Sequence, residues 1–149
     1  MRIYLDICCL NRPFDNQSSI RVKLETDAKL YVQLLIREKI LELAWSYILD
    51  FENDANPFPE RKYTIEKWKQ LSTVDVVENN IILSKAATFV KQGIKSKEAL
   101  HLACAIEAQC QYFLTTDDLV QKKMKNTDEI KVCNPVEFIT IIEKYDHDN

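Results

Sequence analysis

Glycine is almost missing from this chain: Gly93 is the only one in 149 residues. Loops that cradle phosphate need several glycines so that backbone N–H groups can approach the ligand, and a dinucleotide-binding turn is built on the same device. P-loop NTPases and Rossmann-type dehydrogenases are thereby excluded, and a nucleotide cofactor with them. Histidine is nearly as scarce, limited to His101 and His147. The five cysteines (Cys8, Cys9, Cys104, Cys110 and Cys133) form no C-x-x-C pair. That spacing does not make a zinc site; it fits buried thiols in a reducing compartment. No apolar run approaches the roughly 18 residues of a membrane span. The first stretch, "MRIYLDICCL", meets Asp6 and has no small-residue cleavage site, unlike a signal peptide. The expectation is a cytoplasmic protein with no membrane segment.

What is present describes one ordinary globular domain spanning residues 1–149, with a polar tail from about 146. Residues 2–10, "RIYLDICCL", read as a strand that is apolar on both faces, as in a buried parallel sheet. From Ser18 to about Arg37, apolar positions recur at helical spacing. "ILELAWS" (40–46) is a second strand, and Ser46 is placed to cap the helix after it. "NPFPE" breaks that helix, and a helical excursion follows around "YTIEKWKQL". "IILSKAATFVKQG" and "KEALHLACAIEAQC" are further helices, "QYFLTT" a third strand and "DLVQKKMK" a short helix. "IKVC" is a fourth strand and "PVEFITIIEKY" a closing helix opened by Pro135. Strands alternating with helices imply an α/β three-layer sandwich with a mostly parallel central sheet flanked by helices.

In such a fold the functional site lies beyond the carboxyl ends of the strands. The first strand delivers Asp6, a lone charge in an apolar run, which is costly unless it has a partner. After the second strand, counting by three and four from Trp45 through Ile48 and Leu49 puts Glu52 on the inward stripe. Glu98 stands in the first turn of a helix that is apolar nearly all round, and the third strand ends at Asp117 and Asp118. Each has an ordinary alternative: a helix cap for Asp117 or Asp118, a helix-dipole partner for Glu98, a solvated helix face for Glu52. Four carboxylates gathered at one rim are harder to dismiss together.

The stretches "YLDICCLNRPFD", "WSYILDFE", "SKEALHLACA" and "YFLTTDD" resemble the four acidic motifs of PIN domains. They are most similar to those of the VapC-like ribonucleases of bacterial toxin–antitoxin modules, over nearly the whole chain. The resemblance implies a metal-dependent endoribonuclease in which Asp6, Glu52, Glu98 and Asp117 are catalytic and bind Mg²⁺ or Mn²⁺. Asp118 is a further candidate ligand. Asn11 and Thr115 are supporting polar groups. It also implies an RNA substrate and a cognate antitoxin as partners. Carboxylates about 5 Å apart repel by roughly 3 kcal/mol at an effective dielectric near 20. A hard cation converts that repulsion into coordination. Neutralising one acid of such a cluster should therefore leave the metal-free protein as stable as before or more so.

Two positions depart from the family's pattern. Glu98 stands where Asp is usual, and Cys8 stands where a small polar residue often follows the first acid. They sustain a rival reading, a weak or inactive PIN-like module that acts through RNA or protein contacts. A haloacid-dehalogenase-type phosphohydrolase wants a second Asp where Cys8 stands, and ranks below both. The chain's net charge is −3, so RNA would have to be met by local lysines. Candidates are Lys91, Lys95 and Lys97 before Glu98, and Lys122, Lys123 and Lys125 after Asp118. Apolar positions on the first long helix and around Trp68 lead us to expect a homodimer.

Overall fold

The computed structural model describes the backbone of residues 1–148 and the side chains of residues 1–144. Its centre is a sheet of five strands, β1 (Arg2–Leu5), β2 (Glu42–Ser46), β3 (Val74–Val76), β4 (Tyr112–Leu114) and β5 (Lys131–Cys133). The order across the sheet is β3-β2-β1-β4-β5 and every pair is parallel. The helices that flank it give the expected α/β sandwich. They are α1 (Ile7–Asn11), α2 (Ile20–Arg37), α3 (Tyr47–Asp54), α4 (Pro59–Lys69), α5 (Asn80–Lys91), α6 (Ser96–Glu107), α7 (Asp118–Lys123) and α8 (Pro135–Asp148). No helix among the described residues is long and apolar enough to cross a membrane.

The middle strand is buried from Ile3 onward. Ile3, Tyr4 and Leu5 are closed to solvent, which is why that segment shows no apolar/polar alternation. It stops sooner than its apolar run predicts. Asp6 takes an extended backbone and its carboxylate accepts the Ile7 N–H, so the chain turns into α1 instead of continuing to residue 10. Ser46 caps α3 as expected, accepting the Leu49 N–H. Strand β3 was not expected at all: "VDV" is three residues long and only half-buried at the sheet's edge. Helix α8 carries on to Asp148, so the backbone of the stretch read as a polar tail is helical; its side chains lie outside the described residues.

Helix α2 packs on α8, and α5 on α6. The chain moves one way from β1 through β2 to β3, then crosses back to β4, so right-handed crossovers put α2 and the α5–α6 pair on opposite faces. The reversal of direction falls between β1 and β4. In an open parallel sheet that is the switch point at which a crevice opens beyond the strands.

Candidate active site

Asp6 leaves β1 and Thr115 leaves β4 on the two sides of that switch point. The strands hold their ends in register, with Leu5 opposite Leu114 and the Asp6 N–H donating to the Leu114 carbonyl at 3.0 Å. Asp6 is 4% exposed. Its Oδ1 accepts from the Ile7 N–H at 2.8 Å, and its Oδ2 from the Thr115 hydroxyl at 2.9 Å. Thr115 Oγ1 in turn accepts the Asp117 N–H at 3.1 Å. A single hydroxyl thus links the first acid to the loop that carries the fourth.

The second link was not foreseen, and its centre is His101. This ring lies on α6, one turn beyond Glu98, and is 1% exposed. Nε2 stands 2.7 Å from Glu52 Oε1 and 4.0 Å from Asp6 Oδ1. Nδ1 is 2.6 Å from the Tyr4 hydroxyl, which is 2.6 Å from Ser46 Oγ. With the ring proton on Nε2, every atom is satisfied: Leu49 N–H to Ser46, Ser46 O–H to Tyr4, Tyr4 O–H to Nδ1, and Nε2–H to Glu52. Burial, the largest effect on Tyr4, pushes its phenol pKa well up and keeps it a donor. The sequence held one signal for this: His101 follows Glu98 by three positions on an otherwise apolar helix.

Asp117 does two jobs. Its Oδ1 accepts the N–H groups of Leu119 at 2.9 Å and Val120 at 3.2 Å, capping α7. The cap role considered for Asp118 therefore belongs to Asp117, whose Oδ2 has no hydrogen-bond partner among the described residues. Asp118 points elsewhere, forming a two-pronged pair with Arg21 at 2.7 and 2.8 Å. That guanidinium holds the Asp118 pKa below its usual value, and it also donates to the Thr116 carbonyl at 3.1 Å. Glu98, half-buried in the first turn of α6, shares a cavity of about 30 Å³ with Asp117, Gly93, Lys95 and Lys123.

The four acids are therefore joined in sequence: Glu52 to Asp6 through His101, Asp6 to Asp117 through Thr115, and Asp117 to Glu98 across the small cavity. They do not form the tight repelling cluster expected of them. Among the described residues no three His, Cys, Asp or Glu side chains are arranged as they would be around a metal ion; Asp6, Glu52 and His101 meet as a hydrogen-bonded and charged group instead. The local reason is that each carboxylate but Glu98 is drawn off by a nearer donor: Ile7 and Thr115 for Asp6, His101 for Glu52, and the start of α7 for Asp117.

Asn11 turns its side-chain N–H back on its own helix, donating to the Ile7 carbonyl at 3.1 Å. Cys8 sits against the hub, 3.4 Å from Thr115 Oγ1 and 3.6 Å from Asp6 Oδ2. A hydrogen bond from Cys9 is the main influence lowering its thiol pKa, against burial and the Asp6 charge. Of the candidate lysines, Lys95 and Lys123 line the cavity with Glu98, and Lys123 Nζ donates to the Gly93 carbonyl. Lys97 lies over the Phe51 ring at 5.9 Å, whereas Lys122 belongs to a separate cleft beside Tyr112 and Lys131.

No family model matches this sequence, and no curated relative does either. Among solved structures the chain is similar to one in the crystal structure of VapBC2 from Rickettsia felis bound to a DNA fragment from their promoter. The two share 16% identity and a TM-score of 0.56, over 90% of this chain and 98% of that one. It is also similar to a chain of VapBC-1 from nontypeable Haemophilus influenzae, with 15% identity and a TM-score of 0.56 over 91% and 98% of the two chains. At these identities the likeness is one of fold alone, an α/β sandwich of the PIN-like type.

Proposed function

We propose that this protein is a cytoplasmic metal-dependent endoribonuclease of the VapC-like type, the toxin of a toxin–antitoxin module. One observation carries the reading: a buried acid at the switch point of a parallel sheet, tied through Thr115 to a second acid loop and reached through His101 by a third acid.

The donor set suits Mg²⁺ or Mn²⁺ by its chemistry. All four acids offer hard oxygen, and Mg²⁺ commonly takes one or two protein carboxylates and fills its remaining positions with water and substrate phosphate. Asp6 and Glu52, both within 4.0 Å of one imidazole nitrogen, would be the primary holders, with Glu98 and Asp117 completing the set. When bound, such an ion would offset charge developing on the phosphate and make water a better nucleophile. The chain's own part is positional. Ile7 and Thr115 fix the direction of the Asp6 carboxylate, and the Tyr4–His101 relay fixes Glu52, leaving Glu52 Oε2 without a hydrogen-bond partner among the described residues. Lys95 and Lys123, exposed beside Glu98, are suited to hold flanking phosphates by charge.

We assign two protein partners to the same reading, an antitoxin and a second copy of the chain. Helix α2 leaves Ile20, Leu24 and Tyr31 exposed, which favours a covered surface there. Around α4, Trp68 itself is buried, but Phe58, Tyr63 and Leu71 are exposed and add to that apolar surface.

The dispersed placement of the acids and the thiol of Cys8 beside Asp6 favour one alternative, a PIN-like module that binds RNA or protein without cutting. Purified protein incubated with structured RNAs, with Mn²⁺ or EDTA, separates the two. Cleavage that needs metal and is lost in Asp6→Asn supports the nuclease. Retained RNA binding with no cleavage under any metal supports the alternative.

A further inference from the structure

Six charged side chains outside the four acids form one connected network: Asp15, Arg61, Arg12, Glu25, Arg21 and Asp118. Its centre is Glu25 on α2, a carboxylate 1% exposed. Oε1 accepts from Arg12 Nε at 3.0 Å and from Arg12 Nη2 at 2.7 Å. Oε2 accepts from Arg21 Nε at 3.4 Å and from the Asn134 side-chain amide. Arg12 stands in the 3₁₀ turn Arg12–Phe14, on the segment that follows Asp6 and α1, and Thr26 on α2 donates to its carbonyl at 3.1 Å. Arg21 reaches the other way, to both carboxylate oxygens of Asp118 and to the Thr116 carbonyl, the two neighbours of Asp117. Asp15 pairs with Arg12 at 3.1 Å and lies 3.7 Å from Arg61, so the acids and guanidinium groups of the network balance in charge.

Stability alone does not account for it. Charges taken out of water repay their desolvation only with near-ideal geometry, and apolar side chains of similar volume commonly serve a core as well or better. What paired guanidinium groups supply and apolar contacts do not is direction: their planar N–H donors fix both distance and angle. Here the fixed points are the two segments that leave the switch point, one carrying Asp6 and the other Asp117. We propose that Glu25 is a positioning residue of the site. Through Arg12 it anchors the segment after Asp6, through Arg21 the loop that holds Asp117, and so it sets the spacing of the two acids. The Thr115 hydroxyl ties those segments together directly, and Glu25 ties them a second time, from α2. The expected consequence, metal affinity, rests on the nuclease reading; the positioning itself rests on the contacts.

Arg21 is half-exposed, so Arg21→Met removes the Asp118 and Thr116 contacts without opening the core. Glu25→Gln removes the central charge and keeps the side chain's size. Each full-length variant is compared with wild type by Mn²⁺ binding without RNA, read by electron paramagnetic resonance, and by amide NMR in EDTA. Single-turnover cleavage across a Mn²⁺ series completes the set. In both variants the Mn²⁺ dissociation constant should rise roughly 10-fold or more, the usual effect of removing a group that orients a metal ligand, while cleavage at saturating Mn²⁺ changes far less. In EDTA, Arg21→Met should shift chiefly the amides of residues 115–118, and Glu25→Gln those of residues 7–12 as well. Arg21→Lys keeps the charge without the two-pronged fork and should fall between Arg21→Met and wild type. Asp118→Asn keeps an acceptor for Arg21 and the Thr116 contact, and should change Mn²⁺ affinity only slightly. Lys85→Met breaks a solvent-facing pair with Glu129, controls for a general loss of stability and should leave Mn²⁺ binding unchanged. Wild-type Mn²⁺ affinity in the folded variants would overturn the proposal, even with a lowered melting temperature. A wild-type protein that binds no Mn²⁺ would end the nuclease reading, and the amide shifts then decide the positioning: shifts on both segments support it, shifts confined to α2 overturn it. If Glu25→Gln does not fold, Arg21→Met and Arg21→Lys carry the test.

Discussion

Lys29 on α2 is 2% exposed, has no ion pair among the described residues and lies over the Trp68 ring, a placement that must weaken the fold, and replacing it by Met measures by how much. Methionine keeps a flexible stem of similar length and removes the ammonium. In the folded state the Lys29 pKa falls from 10.5 to about 8, chiefly through burial and secondarily through Arg37, while Cys9 opposes the drop. At about 1.36 kcal/mol for each tenfold change in the proton equilibrium, that drop amounts to roughly 3 kcal/mol. The sign follows from linkage. Below pH 8 the lysine is charged in both states and the folded state bears the whole cost. Between pH 8 and 10.5 the unfolded chain binds more protons, so stability from this group rises with pH; above 10.5 the cost is gone. Loss of the contact with Trp68 takes back about 0.5–1 kcal/mol. Lys29→Met should therefore be more stable than wild type by about 2 kcal/mol at pH 7, a difference that shrinks to near zero or reverses by pH 10.5. Burial pushes Cys104, Cys110 and Cys133 up to about 12, so their contribution is full below pH 9 and is lost as pH rises through the folded values. They titrate alike in both proteins and cancel in the difference. Urea unfolding of the pair at several pH values supplies the curve. A variant no more stable than wild type at pH 7, or a difference that stays flat from pH 7 to 10.5, would refute the reasoning.

Asp6→Asn should destabilise the metal-free protein by about 1–2 kcal/mol, because Asp6 is a buried cap bonded to Thr115 and not one of a repelling cluster; melts in EDTA check this. The same variant should lose RNA cleavage by orders of magnitude, and wild-type cleavage rates in Asp6→Asn would remove Asp6 from the site. Asp117→Asn should impair cleavage far more than Asp118→Asn, since Asp118 is turned toward Arg21; equal losses in a gel assay would reverse that ranking. Gly93 has φ of +93° and a Cβ there would meet Lys123 Nζ at 3.0 Å. Gly93→Ala should cost about 1–2 kcal/mol, read as a lowered urea midpoint.

Much of the fold was legible because its signals are local. Ser46 capping α3, Pro135 opening α8 and the apolar run of β1 each depend on neighbours within a few positions. Strand β3 escaped because three half-exposed residues carry too little pattern, and β1 was overdrawn because "ICCL" is apolar in either conformation. At the site, the sequence named the acids but not the groups that hold them. The Thr115 hydroxyl reaches an acid 109 positions away, and His101 meets Glu52 across 49. Those contacts exist only once the sheet has aligned its strands. The cap falls on Asp117, with its extended backbone, and not on its neighbour Asp118, which no spacing rule distinguishes.

The strand order has a consequence for how the chain is born. β1 is the middle of the sheet and leaves the ribosome before the other four strands, yet one of its two neighbours, β4, lies near the opposite end of the chain. At synthesis rates of about 5–20 residues per second, the 109 positions between Asp6 and Thr115 take on the order of 5–20 seconds to make. Throughout that interval the nascent protein carries its central strand with one edge open and its first acid without the hydroxyl that orients it. Such an edge is what chaperones bind and what aggregates form on. Whatever chemistry the finished crevice performs is withheld by topology until the segment through Asp117 has been translated.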